Sequence, residues 1–307
     1  MSAGQGRPLA PGDAVGFVGL GRMGIPMGSR LHDAGYRVVG YDVDPSARVA
    51  YERQSGGATV ERLPEVSRGA AAVILMLPTS AVVSQVVVDG GLLDAMAEDS
   101  LLIDMGSSQP EVTQQLARTA EDRGVRLMDA PVSGGVKGAR EGTLTIMAGG
   151  PEGWLHECGQ MLDVLGRTIL PVGPVGAGHA LKALNNLLSA AHMLAASEAI
   201  TIGTRFGLDQ QTMLEVINGS SGKSWSTEMK FPTYVLNRSF ESGFPLALLV
   251  KDTRIAVELA RSTGVPAPHA EATLALWEQA AQELPPTADH TEIARWVEER
   301  SLGDRPR

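Results

Sequence analysis

Residues 14–42 read AVGFVGLGRMGIPMGSRLHDAGYRVVGYD, and this stretch predicts the fold of the first half of the chain. An apolar run, Ala14–Val18, leads directly into Gly-Leu-Gly-Arg-Met-Gly at 19–24, which matches the spacing G-x-G-x-x-G. The first glycine permits a tight turn, the second allows a phosphate to approach the backbone, and the third lets a helix pack on the strand. Because the first N–H groups of that helix bind phosphate, the stretch predicts a dinucleotide-binding turn.

An acidic residue at the right distance strengthens this interpretation. A second apolar run, Arg37–Tyr41, ends at Asp42, which lies 21 residues after Gly21. In a dinucleotide-binding unit, a carboxylate at this place accepts hydrogen bonds from the adenosine ribose 2′-OH and repels a 2′-phosphate. We therefore expect NAD to be preferred over NADP, although Asp42 in Asp-Val-Asp-Pro also fits a simple turn residue.

Short apolar runs continue along the chain to about Gly176, separated by helical segments. Runs of this length that alternate with helices predict a mostly parallel sheet with helices on both faces. We therefore predict an α/β Rossmann domain, doubly wound, over residues 14–177. The predicted strands are Ala14–Val18, Arg37–Tyr41, Ala72–Leu77, Leu101–Asp104, Val125–Asp129, Thr143–Ala148 and Thr168–Val172.

The composition changes after Gly178. Residues 179–206 contain no proline and a single glycine, and they are rich in good helix formers. Apolar residues lie nearly all around this predicted helix, so we expect it to be buried on several sides. We predict an all-α domain over 178–307, led by this long interdomain helix, and a disordered tail over 1–13. The further predicted helices are Leu208–Asn218, Phe244–Thr263, His269–Glu283 and Thr287–Arg300.

The charge and the cysteine content exclude several kinds of protein. The formal net charge is −9, and the basic residues are scattered, which argues against a nucleic-acid partner. Cys158 is the single cysteine, and no histidine pair has a metal-ligand spacing, so we expect neither a disulfide nor a metal. No apolar stretch is long enough to predict a membrane span, and no signal peptide is recognisable. We expect a cytoplasmic protein.

Three further motifs indicate a substrate site. Asp-Ala-Pro-Val-Ser-Gly-Gly at 129–135 follows a predicted strand and exposes backbone N–H groups that suit a carboxylate. Lys182 and Asn186 lie four residues apart, on one face of the long helix. Lys251 and Asp252 interrupt the apolar stretch 244–257. Taken singly, these motifs also fit a plain glycine turn, a solvated helix start and a surface charge pair.

Together, the four motifs resemble the β-hydroxyacid dehydrogenase family, and its 3-hydroxyisobutyrate dehydrogenase members most of all. The markers are Gly-Leu-Gly-x-Met-Gly at 19–24, the 129–135 loop, Lys-x-x-Asn-Asn at 182–186 and Lys-Asp at 251–252. The resemblance covers about residues 15–300. It implies a Rossmann domain and a helical domain like that of the 6-phosphogluconate dehydrogenases, with the substrate in the cleft between them.

The resemblance also implies roles for individual residues. Lys182 is the expected acid/base, and Asn186 orients the substrate beside it. A lysine that works as a base near neutral pH needs a pKa below its reference value of about 10.4. Substrate binding is expected from Ser133, Gly134, Gly135, Trp225 and Lys251, although Trp225 also fits a core aromatic of the helical domain. Cofactor binding is expected from Gly19, Leu20, Gly21, Met23, Gly24, Asp42, Leu77, Pro78, Ser107, Lys251 and Asp252.

Two comparisons with the family pattern refine the expected reaction. The family usually has Ser-Thr where this chain has Gly106-Ser107, so Ser107 keeps one hydroxyl for the nicotinamide. The related 6-phosphogluconate dehydrogenases carry a glutamate three residues after the asparagine, where this chain has Ser189. We therefore expect reversible oxidation of a 3-hydroxyisobutyrate-like acid without decarboxylation.

Other functions remain open from the sequence. A reductase of the same family acting on glyoxylate, succinic semialdehyde or tartronate semialdehyde would share these motifs, as would a threonate or sulfonate dehydrogenase. A catalytically silent nucleotide-binding scaffold is the non-enzymatic alternative, which the presence of Lys182 disfavours. Because the apolar surface of the long helix exceeds what a small domain needs for its core, we expect a homodimer or homotetramer.

Overall fold

The computed structural model describes residues 7–303, and the chain divides into two compact units, Met1–Lys182 and Ala183–Arg307. The division falls inside the long helix Ala177–Phe206, whereas the sequence placed the domain boundary at 177/178. The start of this helix belongs with the first unit because Gly176 and His179 both donate backbone N–H bonds to Asp129.

Nine strands form one sheet within residues 7–303. The strands are β1 Ala14–Val18, β2 Arg37–Tyr41, β3 Ala58–Thr59, β4 Ala72–Leu75, β5 Leu101–Asp104, β6 Arg126–Asp129, β7 Val132–Ser133, β8 Leu144–Gly149 and β9 Gly166–Gly173. Their spatial order is β3-β2-β1-β4-β5-β6-β8-β7, with β9 beside β8. The six strands from β3 to β6 in this order run parallel, while β8 is antiparallel to β6 and β7 and parallel to β9.

The prediction of a mostly parallel Rossmann sheet is confirmed. All seven predicted strands are present, and their bounds agree with the structure to within two residues. The strands β3 and β7 were not predicted, because two residues are too few to show an alternating pattern. Helices of the first unit are α1 Gly24–Asp33, α2 Pro45–Ser55, α3 Ser80–Ser84, α4 Leu92–Ala95, α5 Pro110–Glu121, α6 Gly135–Glu141 and α7 Glu152–Leu165, with a 3₁₀ helix at Leu63–Ser67 and a π-helix at Gln85–Asp89.

The expected disorder over 1–13 is wrong for residues 7–13, and residues 1–6 lie outside the described residues. Leu9 is buried, and its N–H donates to the Glu157 carbonyl. Arg7 forms an ion pair with Asp13. The segment is ordered because Leu9 removes an apolar side chain from water by joining the core of the first unit.

The second unit is helical, as predicted, and its described residues contain no strand. The long helix α8, Ala177–Phe206, leads into this unit. The helices after it are α9 Gln210–Asn218, α10 Leu246–Ser262, α11 Pro268–Glu283 and α12 Ile293–Gly303, with a π-helix at Ser226–Val235 and a 3₁₀ helix at His290–Glu292. The π-helix was not predicted, because Pro232 within it interrupts the helical pattern. Trp277 is buried at the centre of this unit and donates its indole N–H to the Ala190 carbonyl.

The long helix α8 is only partly buried in the single chain. Its buried positions, such as Ala190 and Met193, belong to the core of the second unit. Large apolar side chains elsewhere on it are exposed, at Leu181, Leu184, Leu188, Ile202 and Phe206. The prediction that this helix is buried on several sides is therefore wrong for the single chain, because the other helices of the chain cover only part of the α8 surface.

Candidate active site

The glycine-rich turn joins β1 to α1. Gly19 has a φ of +97°, a conformation that residues with a Cβ rarely adopt. A Cβ on Gly24 would lie 1.8 Å from the Gly19 carbonyl oxygen, so the third glycine is required for helix α1 to begin this close to the strand. Gly21 is exposed, and a Cβ built on it would meet nothing within 4 Å. The backbone at Gly21 is therefore open to a phosphate group, beside the N-terminus of α1.

The carboxylate of Asp42 lies at the carboxyl end of β2 and contacts this turn. One of its oxygens accepts the Leu20 N–H at 2.7 Å, and the other accepts the Asp44 N–H at 2.9 Å. Arg48 donates to the Asp42 backbone carbonyl at 2.6 Å. Asp42 thus fixes the glycine turn against β2, and the remaining lone pairs of its carboxylate are available to a ribose hydroxyl.

The apolar residues assigned to the cofactor lie partly in the core. Leu20 is buried, and Met23 and Leu77 pack against the two cores of the first unit. Leu20 can therefore approach a cofactor only through its backbone. Pro78 and Ser107 lie after the neighbouring strands β4 and β5, at the same edge of the sheet, and Ser107 is half-buried.

The loop Ser133–Gly135 presents backbone to solvent. Gly134 has a φ of +131° and Gly135 a φ of +62°, and both residues are exposed. Ser133 ends strand β7, and Gly135 begins helix α6. The loop thus offers N–H groups at a helix start and one hydroxyl, which suit the negative charge of a carboxylate.

Two buried aspartates end adjacent parallel strands. Asp104 of β5 and Asp129 of β6 are direct neighbours in the register of the sheet. Asp104 accepts the Gly106 N–H at 2.9 Å and the Ser108 hydroxyl at 2.8 Å, which holds the segment containing Ser107.

Asp129 fixes the start of the helix that carries Lys182. Its two oxygens accept the Gly176 N–H at 2.6 Å and the His179 N–H at 2.8 Å. Both donors lie at the start of α8, where N–H groups have no partner within the helix. Burial raises the pKa of the Asp129 carboxyl, and the charge of His179 and the two backbone N–H groups oppose this rise. Lys182, which is half-buried, follows three residues after His179.

In the second unit, a buried carboxylate holds two of the expected site residues. Asp252 of α10 is 2% exposed. It accepts the Asn186 side-chain N–H at 2.5 Å, and its other oxygen lies 3.1 Å from the Lys251 amine. These contacts orient the Asn186 amide one helical turn after Lys182 in α8. Direct cofactor binding by Lys251 and Asp252 stays a prediction.

Trp225 is 66% exposed, which argues against the alternative that it is a core aromatic.

Sequence reasoning did not single out Asp104 or His179, and it noted Asp129 only as the start of a loop. The sequence does show that Asp104 and Asp129 each end a predicted strand, and this position could have marked them as candidate site residues. That the two are neighbours follows only from the pairing of β5 with β6 in the folded sheet.

The residues at the glycine turn fit a dinucleotide. The open backbone at Gly21, the helix start at Gly24 and the Asp42 carboxylate would hold its phosphates and its ribose. Within residues 7–303, no cluster of three or more histidine, cysteine or acidic side chains could hold a metal ion. Over the same range, no helix is both long and apolar enough to cross a membrane.

Comparison with known proteins identifies the family. Residues 14–173 match the family model described as the NAD-binding domain of 6-phosphogluconate dehydrogenase. Residues 176–297 match a second family model, described as NAD-binding of NADP-dependent 3-hydroxyisobutyrate dehydrogenase. The chain is 38% identical over 268 residues to the mitochondrial 3-hydroxyisobutyrate dehydrogenase of Homo sapiens, covering 85% of this chain and 79% of that protein. It belongs to the β-hydroxyacid dehydrogenase family.

Other members of the β-hydroxyacid dehydrogenase family are similar over most of the chain. The 2-(hydroxymethyl)glutarate dehydrogenase of Eubacterium barkeri is 37% identical over 255 residues, which cover 83% of this chain and 84% of that one. A structure of the Mycobacterium tuberculosis 3-hydroxyisobutyrate dehydrogenase with L-serine has a TM-score of 0.88 and 32% identity, covering 93% of this chain and 99% of that one. This β-hydroxyacid dehydrogenase is thus an NAD(P)-binding oxidoreductase that acts on CH–OH groups.

Proposed function

We propose that this enzyme transfers hydride reversibly between NAD and a small 3-hydroxy carboxylic acid resembling 3-hydroxyisobutyrate, without decarboxylation, and that Lys182 is its acid/base. The observation that carries the proposal is the double role of the Asp129 segment. Its carboxylate fixes the start of the Lys182 helix, and the chain that leaves it forms the exposed Ser133–Gly135 loop. A proton acceptor and a carboxylate-binding loop are thereby anchored to one strand end.

In this proposal each residue has one task. The N–H groups of Gly134 and Gly135 and the Ser133 hydroxyl bind the substrate carboxylate. The Lys182 amine takes the proton from the 3-hydroxyl group and returns it in the reverse direction. The Asn186 amide, held by Asp252, orients the hydroxyl group. When bound, NAD⁺ supplies the hydride acceptor.

The experiment that tests this function is a panel of substrates, followed by the absorbance of NADH. We expect 3-hydroxy acids such as 3-hydroxyisobutyrate and 2-(hydroxymethyl)glutarate to be oxidised, and the methyl ester of 3-hydroxyisobutyrate to lose at least tenfold in kcat/KM, since the loop would have no anion to bind. Equal turnover of acid and ester would refute the role of Ser133–Gly135. A preference for reducing glyoxylate, succinic semialdehyde or tartronate semialdehyde would instead indicate a reductase.

The preference for NAD over NADP depends on the charge of Asp42. We expect Asp42→Asn, which keeps one oxygen acceptor, to raise kcat/KM for NADP and to change it only a few-fold for NAD. The reason is that the Arg48 guanidinium, which contacts the Asp42 carbonyl, could then pair with a 2′-phosphate without a competing carboxylate. Steady-state kinetics with both cofactors measure the ratio. A wild-type enzyme that prefers NADP by tenfold or more would contradict the role given to Asp42.

We propose a homodimer or a homotetramer that uses the exposed apolar positions of α8. Leu184, Leu188, Ile202 and Phe206 are 42%, 57%, 69% and 84% exposed in the single chain. Large apolar side chains repeated along one helix support a protein contact there, and a second copy of the chain is the simplest partner. A cytoplasmic location, expected because the sequence shows no recognisable signal peptide and no apolar stretch long enough to span a membrane, stays a prediction.

A further inference from the structure

His179 lies buried between the two aspartates that end strands β5 and β6. Its side chain is fully buried, with Nε2 3.7 Å from an Asp104 oxygen and Nδ1 3.8 Å from an Asp129 oxygen. Nδ1 also lies 2.8 Å from the Thr113 hydroxyl. The ring therefore contacts groups from three elements of the first unit: β5, β6 and α5.

The Thr113 hydroxyl connects the ring to helix α5. It lies 3.1 Å from the Gln109 carbonyl oxygen at the start of α5 and 2.8 Å from Nδ1 of His179. The ring is therefore held from α5 as well as from the two strand ends.

The other ring nitrogen faces a carboxylate. Nε2 is buried and has no hydrogen-bond partner among the described residues. A lone pair on Nε2 would face the Asp104 oxygen at 3.7 Å, whereas a proton on Nε2 makes the same contact an attraction. With Nε2 as a donor, the ring bridges the two buried aspartates.

We propose that His179 is a positioning residue whose ring ties the Ser107 segment to the start of the Lys182 helix. This inference rests on the proposed function of Lys182. Asp104 holds Gly106 and Ser108 on either side of Ser107, whereas Asp129 holds Gly176 and His179 at the start of α8. The His179 ring joins the two aspartates, and through them the two segments.

The consequence concerns the chemical step more than binding. The glycine turn and Asp42 do not contact His179, so most of the cofactor affinity does not depend on it, and Ser107 contributes a single hydroxyl to cofactor binding. The placement of Lys182 relative to Ser107 does depend on it, and an error of about 1 Å in such a placement can cost on the order of 10²-fold in rate. Loss of His179 therefore lowers kcat while leaving the KM for NAD and its dissociation constant nearly unchanged.

The kinetic test compares His179→Gln with His192→Gln, which changes an exposed histidine of the same helix. For His179→Gln we expect kcat to fall by about 10- to 100-fold, with the dissociation constant of NAD within threefold of wild type. His192→Gln should resemble the wild type. Thr113→Val, which removes the hydroxyl that contacts Nδ1, should lower kcat in the same direction by a smaller factor. A His179→Gln enzyme within twofold of the wild-type kcat overturns the proposal.

A second measurement does not depend on activity. In wild-type protein with ¹⁵N-labelled histidine and no cofactor, the nitrogen spectrum should show a proton on Nε2 of the His179 ring, with the signal assigned by its absence from His179→Gln. If His179→Gln fails to fold, the signal is assigned by its shift in Thr113→Val. A ring without a proton on Nε2 overturns the proposal. Lys182→Ala, assayed in parallel, separates the two hypotheses. If it is as active as wild type, the function of Lys182 is wrong; if it is inactive while His179→Gln is normal, only the role of His179 is wrong.

Discussion

Replacing Lys182 with alanine should lower kcat by about 10²–10⁴-fold, the usual contribution of a positioned acid/base group. The variant should bind NAD normally, because the residues proposed to hold the cofactor, the glycine turn at 19–24 and Asp42, do not include Lys182. Single-turnover oxidation of a 3-hydroxy acid measures the chemical step, and titration with NAD measures binding.

Two substitutions at the same position serve as controls. Lys182→Met keeps the length of the side chain without its amine, so it should be as inactive as the alanine variant. Lys182→Arg should also be nearly inactive, since a guanidinium stays protonated and cannot take up a proton near neutral pH. If Lys182→Ala instead turns over at a near wild-type rate, the proton is handled elsewhere, and Lys251 becomes the next candidate.

Replacing Gly24 with alanine should have the second-largest effect, on both stability and cofactor binding. The new Cβ would lie 1.8 Å from the Gly19 carbonyl oxygen, a backbone atom that cannot rotate away. The helix α1 must then move from β1, which disturbs the N–H groups that face the phosphates. We expect at least a tenfold loss of NAD affinity together with a clear fall in the melting temperature, because steric strain in a buried turn is among the larger causes of destabilisation.

Gly21 offers a matched control within the same turn. A Cβ at this position meets nothing within 4 Å, so Gly21→Ala should keep the wild-type melting temperature. It should nevertheless weaken NAD binding, since the methyl group would occupy the space that a phosphate needs beside the backbone. Calorimetry and NAD titration of both variants separate the two effects. Equal melting temperatures for Gly24→Ala and wild type would show that α1 does not depend on the close approach.

The glycine turn and the helix that carries Lys182 were predictable because their signals are local. The spacing from Gly19 to Gly24 and the distance to Asp42 lie within 24 residues, where a strand, a turn and a helix have fixed lengths. Lys182 and Asn186 share a helix face by the period of the helix alone. The strands of the first unit were recognisable as buried apolar runs for the same reason.

Other features depended on contacts between distant parts of the chain. Leu9 is ordered because it reaches Glu157, and no pattern within residues 7–13 indicates that contact. The unpredicted strand β7 consists of two residues that pair with β8. The exposed side of α8 also differs from its prediction, because the number of neighbouring helices decides which apolar residues are covered.

The sequence by itself therefore determined the Rossmann sheet, the helical second unit, the glycine turn and the helix that carries Lys182. Only the tertiary structure brought together Asp104, Asp129 and His179, which come from two strands and a helix start. The physical reason is that helical and strand periods act over a few residues, whereas the burial of a charge is satisfied by whichever partner the folded chain places beside it.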